Sequence, residues 1–307
     1  MNVTPRQLRI FLALAESLNF SRTAEKFFVT QPSLSKAVKD LEDELGITLF
    51  ERSTRSVRLT AAGGRLTAIA RRVVGEFDSG IERLQSQAEH EFHQLAIAAL
   101  PSVANSLLPT VCARLEEKFG NPKFTIYDGT NASSIQRLLT YEVDFALASA
   151  APSHAELEYE EILRDRFVLL APETWKHVKA RTRMEDLVNL PLISGTDAST
   201  AKEYVKAALL QRGLVFEPKL SLDQVGTAAG FVREGLGIIV QPYLGILPLL
   251  DLKGMRMCRI IDGPIRSVGI VRRKASPLSS IAEQGVAEAR QAAQKLIRQF
   301  PAWILSP

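Results

Sequence analysis

The sequence predicts a molecule of three parts: a small, mostly helical N-terminal domain that ends in a β-hairpin, one long helix, and a larger α/β domain. Three observations support this multidomain fold class. The 307 residues are too many for one small domain. Apolar residues recur at helical spacing up to about residue 90. Beyond residue 94, continuous apolar runs alternate with helical patterns. We place the parts at residues 1–60, 61–90 and 91–307.

Three short helical patterns make up the first part. The first spans Pro5 to Ser17, with Thr4 before it as a capping residue. The second begins near Ser21, and the third begins after a cap at Thr30. A short connection between the last two helices forces a tight crossing, as in a helix-turn-helix. Gly46 ends the third helix, and the second is expected to turn three side chains inward, Ala24, Phe27 and Phe28.

The polar face of the third helix changes character along its length. Short polar groups and two cations occupy the first half, and acidic residues appear only in the second. A helix that enters the major groove needs hydrogen-bonding side chains near its N-terminus and cations toward the phosphates. A solvated amphipathic helix gives the same pattern, so this helix alone leaves both interpretations open. The first half holds Gln31, Ser33, Ser35, Lys36 and Lys39, and the second Asp40, Glu42, Asp43 and Glu44.

Residues 48–60 predict two short strands around a polar turn, with Arg52, Arg55 and Arg58 spaced by three. Such a wing beside a helix-turn-helix meets the DNA backbone or minor groove, where guanidinium groups pair with phosphates. A surface hairpin with solvated arginines is the alternative. Net charge is weak support, because the whole chain carries +4 and residues 1–60 hold nine Lys/Arg against seven Asp/Glu, or +2.

Together these segments resemble the N-terminal region of LysR-type transcriptional regulators. The resemblance runs through Phe11–Ala24, Thr30–Glu42, Leu45-Gly46, Leu49–Arg52 and Leu59–Gly63. Thr23 stands where the family usually has a second alanine, and Phe27-Phe28 is bulkier than usual. Neither departure involves the side chains of the third helix that are expected to contact bases.

The resemblance implies a winged helix-turn-helix that binds double-stranded DNA, a homodimer that assembles into a tetramer, and RNA polymerase as a further partner. Because a two-fold dimer presents two equivalent helices, the operator is expected to be a pseudo-palindrome. Both an activator and a repressor fit this prediction. The side chains expected at base edges are Gln31, Pro32, Ser33, Ser35 and Lys36, with Lys39, Arg52, Arg55 and Arg58 closer to the backbone and Ser21 and Arg22 beside them.

Residues 61–89 predict a long linker helix whose apolar residues recur at steps of three or four, close to a heptad seam. At about 1.5 Å per residue this helix is on the order of 43 Å long, more than one small domain needs. A helix lying on its own domain fits the pattern too, but the resemblance favours dimerisation. The seam consists of Leu66, Ala70, Val73, Phe77, Ile81, Leu84 and Ala88.

The third part predicts a parallel sheet, because strands alternate with helices. It resembles the two-lobed effector domain of the same family, which is similar in fold to periplasmic binding proteins. Lobe I covers about 91–162 and 267–307, and lobe II about 163–266. The predicted strands are Leu95–Leu100, Phe124–Tyr127, Asp144–Ala148, Phe167–Leu170, Leu192–Ser194, Lys219–Leu222, Ile238–Val240 and, returning to the first sheet, Val268–Val271.

Small hydroxyl and amide residues follow three of these strands, where ligands of open parallel sheets bind near helix N-termini. We expect them to face one interlobe cleft and to hold a small anion such as a carboxylate. Plain helix capping is the alternative, and Asp197 fits either repulsion of a carboxylate or selection of a ligand with an ammonium or hydroxyl group. The expected ligand-binding residues are Ser102, Val103, Thr130, Asn131, Thr196 and Asp197, with Val225 and Phe231 from the second lobe.

Composition narrows the class of protein. With 46% apolar and 23% charged residues, the chain is an ordinary globular protein rather than a disordered or fibrous one. No apolar run approaches the roughly 18 residues of a membrane span, and residues 1–6 lack the features of a signal peptide. Cys112 and Cys258 are far apart, which indicates a reducing compartment. We therefore expect a cytoplasmic protein with packing thiols, a redox switch being the alternative.

Catalysis finds little support, since the chain has no Gly-rich phosphate loop, GxSxG or HExxH motif. His90 and His93 are three residues apart, but chance surface histidines explain them better than a metal pair. We expect no enzyme activity, catalytic residue, metal or cofactor. The rival functions are a small-molecule-binding protein without a role at DNA and an enzyme that uses the two-lobed cleft.

Overall fold

The computed structural model describes residues 3–52, 57–88, 94–149, 153–197, 199–249 and 254–307, with residues 52 and 82–88 described by their backbone only. Contacts between Cα atoms divide the chain into two compact units. One consists of residues 1–91 with 139–142, and the other of residues 92–138 with 143–307. In the described part of the chain, no helix is both long and apolar enough to cross a membrane.

The N-terminal unit packs three helices against a hairpin. Its core contains Phe11, Leu14, Leu34, Leu41 and Phe50, each no more than 2% exposed. The rings of Phe11 and Phe50 lie 5.6 Å apart between centroids, so the hairpin is anchored to the first helix. The elements are α1 (Pro5–Ser17), α2 (Phe20–Lys26), α3 (Gln31–Leu45), β1 (Phe50–Arg52), β2 (Val57–Leu59) and α4 (Ala61–Ala88).

Capping residues set the ends of these helices. The Thr4 side chain accepts a hydrogen bond from the Gln7 amide, and α1 has the predicted bounds. Gly46 ends α3 in the left-handed conformation, with φ +67°. Helix α2, predicted to begin near Ser21, begins at Phe20, because the Asn19 side chain accepts from the Arg22 amide and caps the helix.

The inward direction predicted for Phe28 is wrong. Ala24 is buried and Phe27 is half-buried, but Phe28 is 97% exposed. The cause is the backbone at the end of α2, where Phe28 has φ +53° and points its side chain away from the core. The buried Thr23 fits without strain, because its hydroxyl donates to the Asn19 carbonyl at 2.8 Å.

The apolar seam predicted on α4 divides between two faces. Ala70 is fully buried in the core of its own unit and Leu66 packs against that core, so neither is available to a second copy. The side chains of Leu84 and Ala88 lie outside the described residues. The exposed apolar row instead follows steps of four along the helix: Ile69, Val73, Phe77 and Ile81, between 40% and 52% exposed.

The C-terminal unit is a mixed sheet with helices, in the strand order β4-β3-β5-β12-β6-β10-β8-β9. Its first elements are β3 (Gln94–Ala99), α5 (Pro101–Phe119), β4 (Lys123–Asp128), α6 (Asn131–Leu139), β5 (Phe145–Ala148) and β6 (Leu157–Pro172). Then follow β7 (Arg181–Thr182), a 3-10 turn (Met184–Asn189), β8 (Leu192–Ser194), α7 (Thr200–Leu210), β9 (Leu220–Ser221) and α8 (Val225–Arg233). The last are β10 (Ile238–Pro242), α9 (Tyr243–Ile246), a 3-10 turn (Leu247–Leu249), β11 (Met255–Ile260), β12 (Ile265–Arg273), α10 (Ser280–Gln299) and β13 (Ile304–Leu305).

The long strand β6 runs through both halves of the sheet. Up to Arg166 it pairs with β12, and from Phe167 it pairs with β10, in both cases antiparallel. The predicted parallel pairing holds for β3 with β4 and β5, and for β8 with β9 and β10. As predicted, β12 returns to the first sheet, where it pairs antiparallel with β5. The predicted parallel arrangement is therefore confirmed for the strands that alternate with helices, whereas β6 and β12, which cross between the lobes, pair antiparallel.

Candidate nucleic-acid interface and ligand cavity

The N-terminal end of α3 presents a set of exposed polar side chains. Thr30 caps the helix by accepting from the Ser33 amide at 3.4 Å, and its hydroxyl lies 2.9 Å from the Ser33 hydroxyl. The Ser21 hydroxyl donates to Oε1 of Gln31 at 3.2 Å, which orients the Gln31 amide from the neighbouring helix. Leu34 and Val38 bury the opposite face of α3. The Gln31 side chain is exposed, and this bond ties its amide oxygen to α2.

Most of the residues predicted to contact DNA are exposed. Ser35 is half-buried, and Arg58 is exposed on β2, opposite Glu51 of β1. The side chain of Arg52 and the whole of Arg55 lie outside the described residues. The exposed members on α2 and α3 are Ser21, Arg22, Gln31, Pro32, Ser33, Lys36 and Lys39.

One acidic side chain in the second half of α3 has a structural role. Oε1 of Glu42 accepts from the amides of Leu49 and Phe50, at 2.7 and 3.1 Å. It therefore fixes the start of β1 against α3. Glu42 thus holds the wing in place, while Gln31 and Ser33 at the start of the helix remain exposed.

A cavity of about 530 Å³ lies in the C-terminal unit, lined by both lobes. Four of the predicted ligand-binding residues line it: Ser102, Thr130, Thr196 and Val225. The size suits a small organic molecule. The structure thus brings together Ser102 of α5, Val225 of α8, and two loop residues, Thr130 before α6 and Thr196 after β8, that are far apart in the sequence.

The other four predicted ligand-binding residues lie elsewhere. Val103 is fully buried in the core, and Phe231 packs against that core. Oδ1 of Asn131 accepts from the Ser149 amide at 2.9 Å, so its side chain ties α6 to the end of β5. Asp197 is fully exposed and paired with Lys202 at 2.6 Å, which holds the pKa of its carboxyl below the usual range.

Two helix N-termini face the cavity without a side-chain cap. Helix α5 begins at Pro101, and Leu100 before it supplies no capping side chain. Helix α8 begins after Gln224, which makes no capping bond either. Pro101, Ser102, Gln224 and Val225 all line the cavity. Uncapped helix N-termini carry free N–H groups and partial positive charge, so they attract anions.

A buried ion pair stands beside Ser102. Nη2 of Arg266 donates to Oδ2 of Asp165 at 2.7 Å and to the Ser102 hydroxyl at 3.1 Å. Arg266 lines the cavity although it is only 3% exposed, and Asp165 is fully buried. Burial raises the pKa of Asp165 to about 6, against the opposing effect of Arg266. Because the Ser102 oxygen accepts from Arg266, its own proton is free to be donated to a ligand.

Sequence reasoning missed several polar residues of the cavity. Gln241 follows the predicted strand Ile238–Val240 and lines the cavity, so the rule that located Ser102 also applies to it. Asp223 lines the cavity too, and its Oδ1 accepts from the Thr196 hydroxyl at 2.6 Å. No pattern singles out Arg266, because its partners Ser102 and Asp165 are both more than 100 residues away.

Both cysteines have a raised pKa in the structure. Burial and the nearby Glu116 raise the pKa of Cys112, and burial raises that of Cys258. His90 and His93 lie outside the described residues. Among the residues that the structure does describe, no His, Cys, Asp and Glu side chains gather as a metal site would require.

Two family models match the chain. The one described as "Bacterial regulatory helix-turn-helix protein, lysR family" matches residues 5–64, and "LysR substrate binding domain" matches residues 88–294. These ranges contain the polar N-terminus of α3 and the cavity, respectively.

Individual relatives match nearly the whole chain. The "Hydrogen peroxide-inducible genes activator" of Escherichia coli O157:H7 is 30% identical, over 95% of this chain and 95% of its own length. The "Uncharacterized HTH-type transcriptional regulator YbhD" of Escherichia coli K12 is 26% identical, over 90% of this chain and 88% of its own. Among solved structures, full-length CbnR complexed with its target DNA has a TM-score of 0.69 at 20% identity, covering 94% of this chain and 100% of that chain. The similarity to CbnR shows a shared fold only.

Proposed function

The chain belongs to the LysR family of DNA-binding transcriptional regulators, and on that premise we propose that α3 reads base edges in an interrupted palindrome while the cavity binds a small anionic effector. The proposal that α3 reads DNA is supported by the exposed polar N-terminus of this helix, where Ser21 orients Gln31. A glutamine amide and serine hydroxyls are the groups that hydrogen-bond base edges in the major groove.

Different residues take different roles at the DNA in this proposal. Gln31, Pro32, Ser33, Ser35 and Lys36 stand at or near base edges and specify sequence. Cations around them pair with phosphates and supply affinity at any sequence. These backbone contacts are assigned to Arg22, Lys39, Arg52, Arg55 and Arg58, with Ser21 supporting Gln31.

The effector proposal rests on two helix N-termini and one hydroxyl. The N-termini of α5 and α8 lack side-chain caps, and the Ser102 hydroxyl accepts from Arg266, so its own proton is available to a ligand. A carboxylate of the effector would accept from the Ser102 hydroxyl and from free helix amides. Thr130, Thr196 and Val225 would contact the remainder of the molecule.

Ligand binding is favoured over thiol oxidation as the signal. One relative is named for induction of genes by hydrogen peroxide. In this chain the two cysteines, Cys112 and Cys258, do not line the cavity, and burial raises the pKa of both thiols. A raised pKa lowers the fraction of reactive thiolate.

Assembly follows from the exposed apolar row of α4, which suits pairing with a second copy of the chain. The dimer would associate further into a tetramer and contact RNA polymerase in the cytoplasm. The effector would shift the population of dimer arrangements, and it can do so only by binding one arrangement more tightly. The protein would act by binding alone, without turnover of the effector.

The DNA half of the proposal is tested by recovering fragments of the source genome with the full-length protein in the presence of scrambled competitor. We expect enrichment of fragments that share an inverted repeat. Ser33→Ala should lower affinity for the enriched fragment more than affinity for scrambled DNA, because a base contact is lost. Equal losses on both would remove Ser33 from the reading face, and absence of any enriched fragment with wild-type protein would contradict DNA reading.

The effector half is tested by thermal melting against a panel of small carboxylates, their amides and neutral analogues. We expect stabilisation by a carboxylate and not by its amide, and loss of that stabilisation in Ser102→Ala. Asp197→Asn is the matched control, because Asp197 is fully exposed and outside the cavity. Loss of the stabilisation in both variants would contradict the assigned site. Stronger stabilisation by the amide than by the carboxylate would contradict the proposed negative charge of the effector.

A further inference from the structure

Phe28 occupies a position that costs conformational energy. It is the second residue after α2, following the C-cap Phe27, and its backbone lies in the left-handed region at φ +53°. Hydrogen bonds hold it there, from the Phe28 amide to the Glu25 carbonyl at 3.1 Å and from the Val29 amide to the Ala24 carbonyl at 3.0 Å. This pair of bonds ends a helix in a Schellman motif, whose left-handed position is usually glycine or asparagine. A side chain as bulky as phenylalanine is an outlier there.

The Phe28 ring contributes nothing to the core. It is 97% exposed, whereas its neighbours Phe27 and Val29 pack against the buried residues of the N-terminal unit. A large exposed aromatic group also costs solvation free energy. Both the backbone and the solvent would therefore favour glycine or asparagine at this position. A strained backbone conformation that the fold nevertheless maintains motivates a functional hypothesis for the residue that adopts it.

The surroundings of Phe28 indicate what it binds. It precedes Gln31, the first residue of α3, by three positions, so their Cα atoms are at most about 11 Å apart. Gln31, Pro32 and Ser33 are exposed, as Phe28 is. The N-terminus of a recognition helix lies in the major groove, so a side chain this close reaches the edge of that groove.

We propose that Phe28 contacts duplex DNA through its ring, packing on apolar C–H surface at the edge of the major groove. This proposal rests on the proposed function of α3. Two parts of DNA offer such surface, the 5-methyl group of thymine and the carbons of deoxyribose. The first contact would make Phe28 a specificity residue, and the second would make it a positioning residue.

The test compares Phe28→Asn with a matched variant, Leu18→Asn, in the full-length protein. Leu18 is also a non-glycine residue in the left-handed region, with φ +48°, and is 42% exposed at the end of α1. Affinities are measured for the genomic fragment enriched by wild-type protein and for a scrambled duplex of equal length. Melting temperatures are recorded for each variant.

We expect both variants to melt no lower than wild type, because asparagine tolerates the left-handed conformation. Phe28→Asn should bind the enriched fragment at least about fivefold more weakly, and Leu18→Asn should bind it as wild type does. A loss confined to the enriched fragment, and reproduced in wild-type protein by thymine-to-uracil replacement, identifies the methyl contact. Equal losses on both duplexes identify the sugar contact.

Unchanged affinity of Phe28→Asn for both duplexes would overturn the proposal, whether or not transcription in the cell is altered. The proposed function is checked separately, by the preference of wild-type protein for the enriched fragment over the scrambled duplex. If that preference were absent, binding of the scrambled duplex by Phe28→Asn would still show whether the ring contacts DNA.

Discussion

At the scale of single residues, Arg266 and Asp165 form an ion pair that is almost fully buried between β12 and β6. Oδ1 of Asp165 also accepts from the Leu244 amide at 3.3 Å, at the start of α9. The pair therefore joins three elements directly below the cavity. Removing one partner of such a pair leaves an uncompensated charge in a medium of low polarity, which costs far more than the pair contributes.

We expect Arg266→Met to destabilise the C-terminal unit by about 3–5 kcal/mol, and Asp165→Asn in the same chain to recover part of this loss. Urea unfolding followed by tryptophan fluorescence measures the effect selectively, because the two tryptophans, Trp175 and Trp303, both lie in that unit. Arg183→Met is the control, since that arginine is 63% exposed. A double variant less stable than Arg266→Met would contradict the coupling.

The raised pKa of Asp165 predicts a pH dependence with a definite sign. Its pKa is about 6 in the folded protein, above the ordinary value of 3.8, so between these values the folded protein retains a proton that the unfolded chain has released. The resulting contribution to stability is fully present below about pH 4 and is lost as the pH rises to about 6.

Asp165→Asn should remove this decline from the pH profile of the free energy of unfolding. Asp186→Asn should instead remove a decline in the free energy of unfolding toward low pH, because the Arg183 amide and the Thr182 hydroxyl hold the pKa of Asp186 below its usual range. That contribution is lost as the pH falls. Identical profiles for wild type and Asp165→Asn between pH 4 and 6 would contradict the assignment.

Neighbouring residues in the sequence are enough to predict the role of some residues but not of others. Thr4, Thr30 and Gly46 act within a few positions of themselves, so their capping roles could be predicted. Arg266 could not, because arginine ordinarily lies at the surface and its carboxylate partner is 101 positions away. The outward direction of Phe28 depends on a single backbone angle that apolar spacing does not report.

At the scale of elements, the long strand β6 shows that an apolar pattern in the sequence can predict only part of a strand. Only its Phe167–Leu170 segment was predicted, because the earlier segment is rich in charged residues. Those charges are balanced by ion pairs: Glu158 with Arg272, and Glu160 with Arg290 at 2.6 Å. The partner strand β12 supplies the backbone hydrogen bonds. The first half of β6 is thus stabilised by tertiary partners rather than by its own apolar pattern.

Helix α4 illustrates the opposite case, in which the element was predicted but its faces were not. A step of four residues separates the exposed Ile69, Val73 and Phe77, whereas Ala70 and Val74 face the core. An apolar row on a straight helix drifts relative to a heptad pattern. Periodicity alone therefore cannot say which of two adjacent rows packs internally and which one is left for a second copy.

Val73→Glu is expected to raise the dissociation constant of the homodimer by at least about tenfold, because a carboxylate would be desolvated at an apolar contact. Sedimentation equilibrium of the full-length protein measures this. Leu210→Glu is the control, since Leu210 is 56% exposed and lies on α7 of the other unit. An unchanged dimer in Val73→Glu, or an equal loss in the control, would remove the exposed row of α4 from the interface.

At the scale of the whole molecule, charge placement matters more than charge total. The chain carries +4, and only +2 of this belongs to residues 1–60. Affinity for DNA must therefore come from a few cations in the right places, each releasing counterions from the duplex on binding. We propose that Arg58, exposed on the wing, is one of these.

Arg58→Ala should reduce affinity for all DNA sequences by a similar factor, because a phosphate contact is lost. The slope of log K against log salt concentration should fall in magnitude by about one. Fluorescence anisotropy with labelled duplexes over a series of salt concentrations gives this slope. Arg183→Ala, an exposed arginine of the C-terminal unit, should leave it unchanged. An unchanged slope in Arg58→Ala would exclude Arg58 from the interface.

The central claim is that a dimer reads DNA through two copies of the α3 N-terminus, and hydroxyl-radical footprinting of the enriched genomic fragment tests it most directly. We predict two protected half-sites in inverted orientation, with centres a whole number of helical turns apart, about 10.5 base pairs each. Ser33→Ala should weaken protection of both half-sites together. A single protected segment without an inverted repeat, or a footprint that Ser33→Ala leaves unchanged, would contradict the claim.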